Sequence, residues 1–449
     1  MPAFVPAFHN PRSPGLEAVG GLAVPRWSKL AVSVDDCYEA EVICRRTRRG
    51  PSGGSGAGEM TGHARTLTYP ADGLGAPKDR HLGPLVDSGL PADVEVFSAD
   101  DHISLAVDIF YERLPDDLKE QAPRVMNVDG GWVLGMGGKS ILVREFVEVL
   151  TMYDPVSGSH TGDVEARLAA LEAEGVTKEL AFPNSVLALF GWPDKDMRER
   201  CFRIYNEHIA EVQERSNNRI YGVGLINWWD AEGARRTLRE LKALGLKTFL
   251  MPLSPGKDAD GKPIDFGSSA MDGVWEAIEE EQVPVSHHIG ESPPSSPNEF
   301  NPVILGMLQA VAPFRDLFGK YVLGGILDRH PGLRVGWFEG GINWVPSALQ
   351  DAEHLSASFR HIANLKTEHE PRYYWEHNMY ASFMVDPLGL DLVDRIGVDK
   401  VMWSTDFPHN ESTYGYSSES LKSVVDAVGV EAATAMVSDN IKRYLGVAD

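Results

Sequence analysis

The chain has 449 residues, 43% of them hydrophobic and 24% charged, which is enough apolar material for a large folded core and argues against disorder throughout. With 65 acidic against 42 basic residues, the formal charge of −23 repels phosphate backbones and anionic lipid surfaces, so neither nucleic acid nor membrane is an expected partner. Three cysteines, Cys37, Cys44 and Cys201, are too few for a disulfide framework and lack paired zinc-site spacing. The chain has no apolar run of about 18 residues and no secretory apolar stretch near its start, and a cytoplasmic protein is expected.

Residues 1–92 read as a loop-like extension without a core of its own: proline and glycine recur, and the Arg45-Arg46 and Arg48-Arg49 pairs sit beside the Gly/Ser tract 50–58. Met60 follows that tract. Translation starting there would leave residues 1–59 outside the natural protein, and a natural disordered extension is the alternative.

From residue 93 to 449 a single domain is expected, in which short β-forming runs alternate with helix-period segments, the pattern of βαβ units and a parallel sheet. Eight runs are found: Val94–His102, Lys178–Asn184, Ile220–Asn227, Thr248–Leu253, Pro284–Gly290, Arg334–Gly341, Met379–Phe383 and Lys400–Pro408. Each is apolar almost throughout, as strands covered on both faces are. Eight such strands close a (β/α)₈ TIM barrel, an α/β fold.

The interval 103–177 is too long for one crossover helix and holds the glycine clusters at 130–131 and 135–138, so an insertion after strand one is expected on the rim where barrel enzymes build pockets. Between later strands the helices carry caps. Asp194 opens a helix to Arg215 whose buried stripe includes Cys201, and Asp230 caps a helix that Gly245 ends. A long loop from Glu291 to about Pro313, with Pro293, Pro294 and Pro297, reads as a lid.

Chemistry collects at three strand ends. In the first strand, Asp100 and His102 are two apart and share a face, so both enter the barrel while Asp101 faces out. A carboxylate and an imidazole side by side are a natural ligand pair for a divalent ion. The fifth strand ends His287-His288, of which His288 is assigned inward as a ligand and His287 outward. Asp406 ends the apolar run of the eighth strand, and a buried carboxylate needs a partner, which a metal supplies. Any one signal alone is weak. Their joint occurrence at the C-termini of strands one, five and eight, with closure bringing strand eight beside strand one, points to one divalent metal held by Asp100, His102, His288 and Asp406.

The segments Phe97-Ser98-Ala99-Asp100-Asp101-His102, Pro284-Val285-Ser286-His287-His288-Ile289-Gly290, Asp328-Arg329-His330-Pro331-Gly332 and Met402-Trp403-Ser404-Thr405-Asp406-Phe407-Pro408-His409 resemble the amidohydrolase-related family of metal-dependent hydrolases. That group includes aminocarboxymuconate-semialdehyde decarboxylase and related aromatic-acid decarboxylases. The resemblance runs over about 94–447 and extends to the ending Asp439-Asn440-Ile441-Lys442-Arg443-Tyr444-Leu445-Gly446. It implies the same four ligands, zinc or manganese as the ion, and a homo-oligomer. Where family decarboxylases carry a histidine near the end of strand six, this chain has Glu339, which would orient a water or carry a proton and would repel an acid substrate.

The expected function is therefore hydrolysis of a small molecule. An ion lowers the pKa of a water for attack on a carbonyl-type carbon, with Asp406 as general base and Glu339 and His409 assisting. Trp228 and Trp229, just past strand three on the same rim, are candidates to wall the substrate. Nonoxidative decarboxylation of an aromatic or related acid is the alternative enzyme. A noncatalytic binding protein on a decayed barrel is the third reading, disfavoured because all four ligand positions keep coordinating side chains.

Overall fold

The computed structural model describes residues 82–104, 108–128, 131–136, 139–142, 163–258, 260–291, 302–365 and 367–447, with 74, 75, 77 and 80. Most of the N-terminal extension, Gly130, Gly137, Gly138 and the prolines 293–297 lie outside the described residues. Cys37 and Cys44 do so too, and Cys201 is buried with a free thiol. Among the described residues no helix is long and apolar enough to cross a membrane.

All eight expected strands form, as β1 (Phe97–Ile103), β5 (Lys178–Pro183), β6 (Ile220–Leu225), β7 (Thr248–Leu250), β8 (Val285–His288), β9 (Val335–Phe338), β10 (Met379–Phe383) and β11 (Val401–Trp403). They pair in parallel in the order β1-β5-β6-β7-β8-β9-β10-β11, the sequential winding of a (β/α)₈ TIM barrel. The regular part of β11 stops at Trp403, and the chain beyond it closes the ring. Thr405 N donates to Ser98 Oγ at 2.8 Å, Asp406 N to the Asp100 carbonyl at 2.8 Å, and His102 N to the Phe407 carbonyl at 2.7 Å.

The expected insertion is a separate antiparallel sheet of β2 (Arg124–Val128), β3 (Gly131–Met136) and β4 (Lys139–Leu142). The long loop expected from Glu291 to about Pro313 is helical in its second half, where helix Pro302–Gln309 and the start of helix Ala312–Val322 lie.

Capping follows the sequence reading. Asp194 accepts from Met197 N at the start of helix Lys195–Arg215, and Asp230 from Gly233 N at the start of helix Ala231–Ala243. Both helices lie so close to β6 that a Cβ at Gly222 would meet Ile209 at 2.4 Å and one at Gly224 would meet Leu241 at 2.3 Å. The C-terminal motif works from the opposite end of the barrel. Asn440 Nδ2 donates to the carbonyls of Val398 and Val401, and Tyr444 donates to the Val285 carbonyl while its ring packs between Phe338 and Tyr380. The Asp328-Arg329-His330 motif is likewise structural, with Arg329 bonded to Asp272 and His330 set between Asp272 and Glu279.

β1 carries a bulge. Ser98 pairs with Glu179 and Asp101 with Ala181, so two β1 residues, Ala99 and Asp100, stand opposite one residue of β5. Asp101 points away from the lumen, as expected, but is fully buried. It accepts from Thr405 Oγ1 and from Phe407 N, and burial with nearby Glu179 pushes its carboxyl well above the usual range against the pull of Arg167. Arg167 and Glu179 form a bidentate pair at 2.6 and 2.8 Å with almost no exposure, and the guanidinium lies 5.1 Å over the Phe407 ring.

Breaking that pair from one side strands a buried charge. Glu179→Ala should lower unfolding free energy by about 3–5 kcal/mol, read from urea denaturation, whereas a loss below about 1 kcal/mol would show that water already reaches the pair.

Candidate metal centre

The C-terminal ends of four barrel strands meet at one point of the lumen. β1 supplies Asp100 and His102, β8 ends on His288, Glu339 follows β9 by one residue, and Asp406 lies three residues past β11. His102 Nε2 is 3.1 Å from Asp406 Oδ1, 3.5 Å from Glu339 Oε2 and 3.7 Å from Asp100 Oδ1. His288 Nε2 is 2.9 Å from Glu339 Oε2 and 3.2 Å from Asp100 Oδ1. Single donor atoms from Asp100, His102 and His288, and from His102, Glu339, Asp406 and His409, lie within 4.8 Å of one another. The four residues expected to share an ion thus fall in two groups joined by His102, Asp100 and His288 in one and Asp406 with Glu339 and His409 in the other.

Local backbone geometry aims the two acids that lie beyond strand ends. Glu339 and Asp406 adopt left-handed backbone, φ +61° and +58°, which non-glycine residues take at some energetic cost and which clusters at functional sites. Ser382 holds Glu339 in place by accepting from its N–H at 3.1 Å, and its hydroxyl donates to Asp100 Oδ2 at 3.4 Å. Asp406 is fixed through its N–H bond to Asp100.

The hydrogen bonds around the imidazoles fit a cation. His288 Nδ1 donates to the Ile289 carbonyl at 2.6 Å, so in the neutral ring Nε2 is a lone pair directed at two carboxylates. Only a positive charge, proton or metal, makes that arrangement favourable. Neither ring nitrogen of His102 and neither carboxylate oxygen of Asp406 has a well-aligned hydrogen-bond partner, although His102 Nε2 and His409 Nδ1 come within 3.1 and 3.0 Å of Asp406 Oδ1. Buried polar atoms left so are costly, and a divalent ion satisfies them at once. A mixed oxygen and nitrogen donor set suits zinc and manganese.

Burial sets the protonation landscape, and neighbours modify it. Burial and the neighbouring His409 hold the His102 imidazole down at about 4, in the neutral form that binds metals. Burial pushes the Asp406 carboxyl up to about 6, with His409 opposing and Glu339 adding to the rise. At Glu339 burial is outweighed by His288, His102 and His409, which hold the carboxyl well below its usual range. His287 faces away from the cluster. It bonds the Met251 carbonyl and Tyr321 Oη, and burial keeps it down at about 3.

His409 stacks on His102 with ring centroids 3.8 Å apart, places Nδ1 3.0 Å from Asp406 Oδ1, and turns Nε2 to Asn184 Oδ1 at 2.9 Å. Asn184 and Ser382 were not singled out by the sequence reading. Asn184 closed the second expected strand, and the same strand-end rule that found Asp406 marks it. Trp228 and Trp229 sit in an aromatic cluster with Phe202, against the Arg198 guanidinium, which is 3.8 Å from the Trp229 ring centroid. Trp228 Nε1 donates to the Pro255 carbonyl at 3.0 Å.

Solved structures share this barrel. An amidohydrolase from Mycobacterium avium subsp. paratuberculosis superposes with a TM-score of 0.65 at 19% identity, covering 80% of this chain and 99% of its own. A 2,6-dihydroxybenzoate decarboxylase from Rhizobium gives 0.57 at 14% identity, covering 79% and 99%. A 5-carboxyvanillate decarboxylase from Novosphingobium aromaticivorans, complexed with manganese and 4-hydroxy-3-methoxy-5-nitrobenzoic acid, gives 0.56 at 17% identity, covering 82% and 99%. At these identities the likeness is one of fold. No curated protein matches the sequence. The amidohydrolase family model matches residues 162–447, well over half of the length, and the chain belongs to the amidohydrolase family.

Proposed function

We propose that this chain is a metal-dependent hydrolase of a small, uncharged carbonyl compound such as an amide, ester or lactone. One divalent ion, zinc or manganese, is held by Asp100, His102, His288 and Asp406. The observation that carries the reading is Glu339, 2.9 Å from His288 and 3.5 Å from His102. With Asp100 and Asp406 it makes three carboxylates at one point, and a divalent ion offsets two of their charges, leaving the third to His409, whose imidazole Asp406 and Glu339 push well above its usual range against burial. A substrate carboxylate placed beside Glu339 meets a fixed like charge in a water-poor site, and a neutral carbonyl does not.

A bound divalent ion would supply Lewis acidity, lowering the pKa of a water and polarising a carbonyl oxygen. Asp406, its carboxyl raised to about 6, takes a proton from the attacking water and returns it to the leaving group. His409, held between Asp406 and Asn184, keeps that carboxylate oriented and shares the proton. Glu339 orients the water against the two imidazoles. A substrate contact for Trp228 or Trp229 belongs to the same proposal, as do a homo-oligomeric assembly and a cytoplasmic location.

A second reading, nonoxidative decarboxylation, draws support from barrels of similar fold that are decarboxylases, one of them complexed with manganese. There Asp406 would protonate the ring carbon. Incubating metal-loaded protein with amides, esters and lactones, and separately with hydroxybenzoates, separates the two. Hydrolysis products without carbon dioxide release are expected, and carbon dioxide from hydroxybenzoates alone would overturn the hydrolase reading.

Three further outcomes follow from the site. Asp406→Asn should keep metal content near that of the parent by elemental analysis and lower turnover by roughly 10²–10⁴-fold, whereas an active variant would remove Asp406 from the proton transfer. Manganese or zinc added at about 100 times its Kd should stabilise the protein by about 2.7 kcal/mol, seen as a rise in Tm that chelator reverses, and no shift would leave the cluster without an ion. Metal binding displaces the proton that Asp406 holds below about 6 and the one that Asp100 and Glu339, against burial, hold on His288 well above the usual imidazole range, so affinity should fall steadily as pH drops from the alkaline side through 6, measured by titration calorimetry.

A further inference from the structure

The loop that leaves the metal centre is held from both sides by charged groups reading its backbone. Thr413 N donates to the Thr405 carbonyl at 2.9 Å and Ser412 N to the His409 carbonyl at 3.1 Å, so residues 405–413 form a closed loop carrying Asp406 and His409. On one side Glu174, just past helix Val164–Ala173, accepts from Gly415 N at 2.8 Å and Ser417 N at 3.2 Å. On the other side stands Arg80, ahead of the barrel and 332 residues away from Ser412 in sequence. Its Nη1 donates to the carbonyls of Ser412 at 2.6 Å and Tyr414 at 2.9 Å, and its Nη2 to that of Asn410. Nε and Nη2 also bond the Gly75 carbonyl at 3.3 and 3.2 Å, which fixes the guanidinium on its own segment. Gly415, φ +92°, lets the loop pass, since a Cβ there would lie 3.2 Å from Arg80 Cβ.

We infer that Arg80, outside the family-matched region, is a positioning residue for the metal centre: its planar fork takes three successive alternate carbonyls and fixes the loop on which Asp406 and His409 stand. A carboxylate collecting N–H groups and a guanidinium collecting C=O groups of one loop is a two-sided clamp of charge-assisted hydrogen bonds. Lysine offers a point charge and cannot span three carbonyls in that geometry. The inference rests on the metal-centre reading for its effect on the ion, and on the hydrogen bonds alone for its effect on the loop.

The test compares the full chain with Arg80→Ala and Arg80→Lys by two readouts, amide hydrogen exchange and affinity for Mn²⁺ alone. In Arg80→Ala the amides of Ser412, Thr413, Gly415 and Tyr416 should exchange at least about tenfold faster while β5 to β10 keep their protection. Mn²⁺ affinity should weaken about tenfold, the lower end of what removing a group that orients ligands does. Arg80→Lys should lie between, and added guanidinium ion should restore part of both effects to the alanine variant. Parent-like exchange at those four amides in a folded Arg80→Ala protein would overturn the inference, as would parent-like Mn²⁺ affinity in a protein whose parent binds the ion. If the parent binds no Mn²⁺, the metal reading fails by itself, and loop exchange alone decides for or against Arg80.

Discussion

Two backbone hydrogen bonds, Asp406 N to the Asp100 carbonyl and His102 N to the Phe407 carbonyl, join the end of the barrel to its beginning. The same bonds bring the carboxylate of the last strand's extension to within 3.1 Å of the first strand's imidazole. Closing the sheet and assembling the site are therefore one event. Nothing in β11 itself reaches β1 through a regular ladder, since its hydrogen-bonded neighbour is β10. The closure depends on residues 405–407, and Ser98, Asp101 and Thr405 reinforce it with side-chain bonds of their own.

What the site then holds is an excess of acid. Asp100, Glu339 and Asp406 converge on two imidazoles in a buried lumen, and the burial that raises the Asp406 carboxyl also deprives the acids of water. The barrel's remaining buried charges are dealt with differently. Arg167 neutralises Glu179 on the far side of β1, His287 is kept neutral by burial, and Asp101 is engaged by a hydroxyl and an amide. At the strand ends, by contrast, the described ion pairs of Asp100, Glu339 and Asp406 are with imidazoles alone, and this contrast is what marks the cluster out.

Much of this was legible from residue order, for identifiable reasons. Strands buried on both faces must be apolar throughout, so all eight could be found, and ligand-type residues interrupting such runs at their C-terminal ends stood out. Glu339 was placed by its position, but its left-handed backbone was not readable, because no local motif distinguishes that φ from an ordinary strand end. Ser382 escaped notice because a serine inside a strand reads as packing. Arg80 could not be found at all: its partners are backbone carbonyls more than 300 residues away, and carbonyls have no sequence identity. The insertion was recognisable by its length and glycines, while its antiparallel pairing was not. Trp228 and Trp229 were read as rim aromatics, and the structure shows what local order could not, that each packs against Arg198.

The bulge in β1 changes the phase of a strand partway along its course. Below it, Phe97 stacks with Tyr221 and Ser98 turns the other way toward Thr405. Strict alternation from Phe97 would put residue 101 inside and residues 100 and 102 outside. The additional residue inverts that parity, so the wall is built in one phase and the chemistry presented in the other. The same residues paired one to one, without the bulge, would still supply a barrel stave, yet they would show Asp101 to the lumen and bury His102 in the wall. The coordinating face of this barrel is thus a matter of counting as much as of residue type.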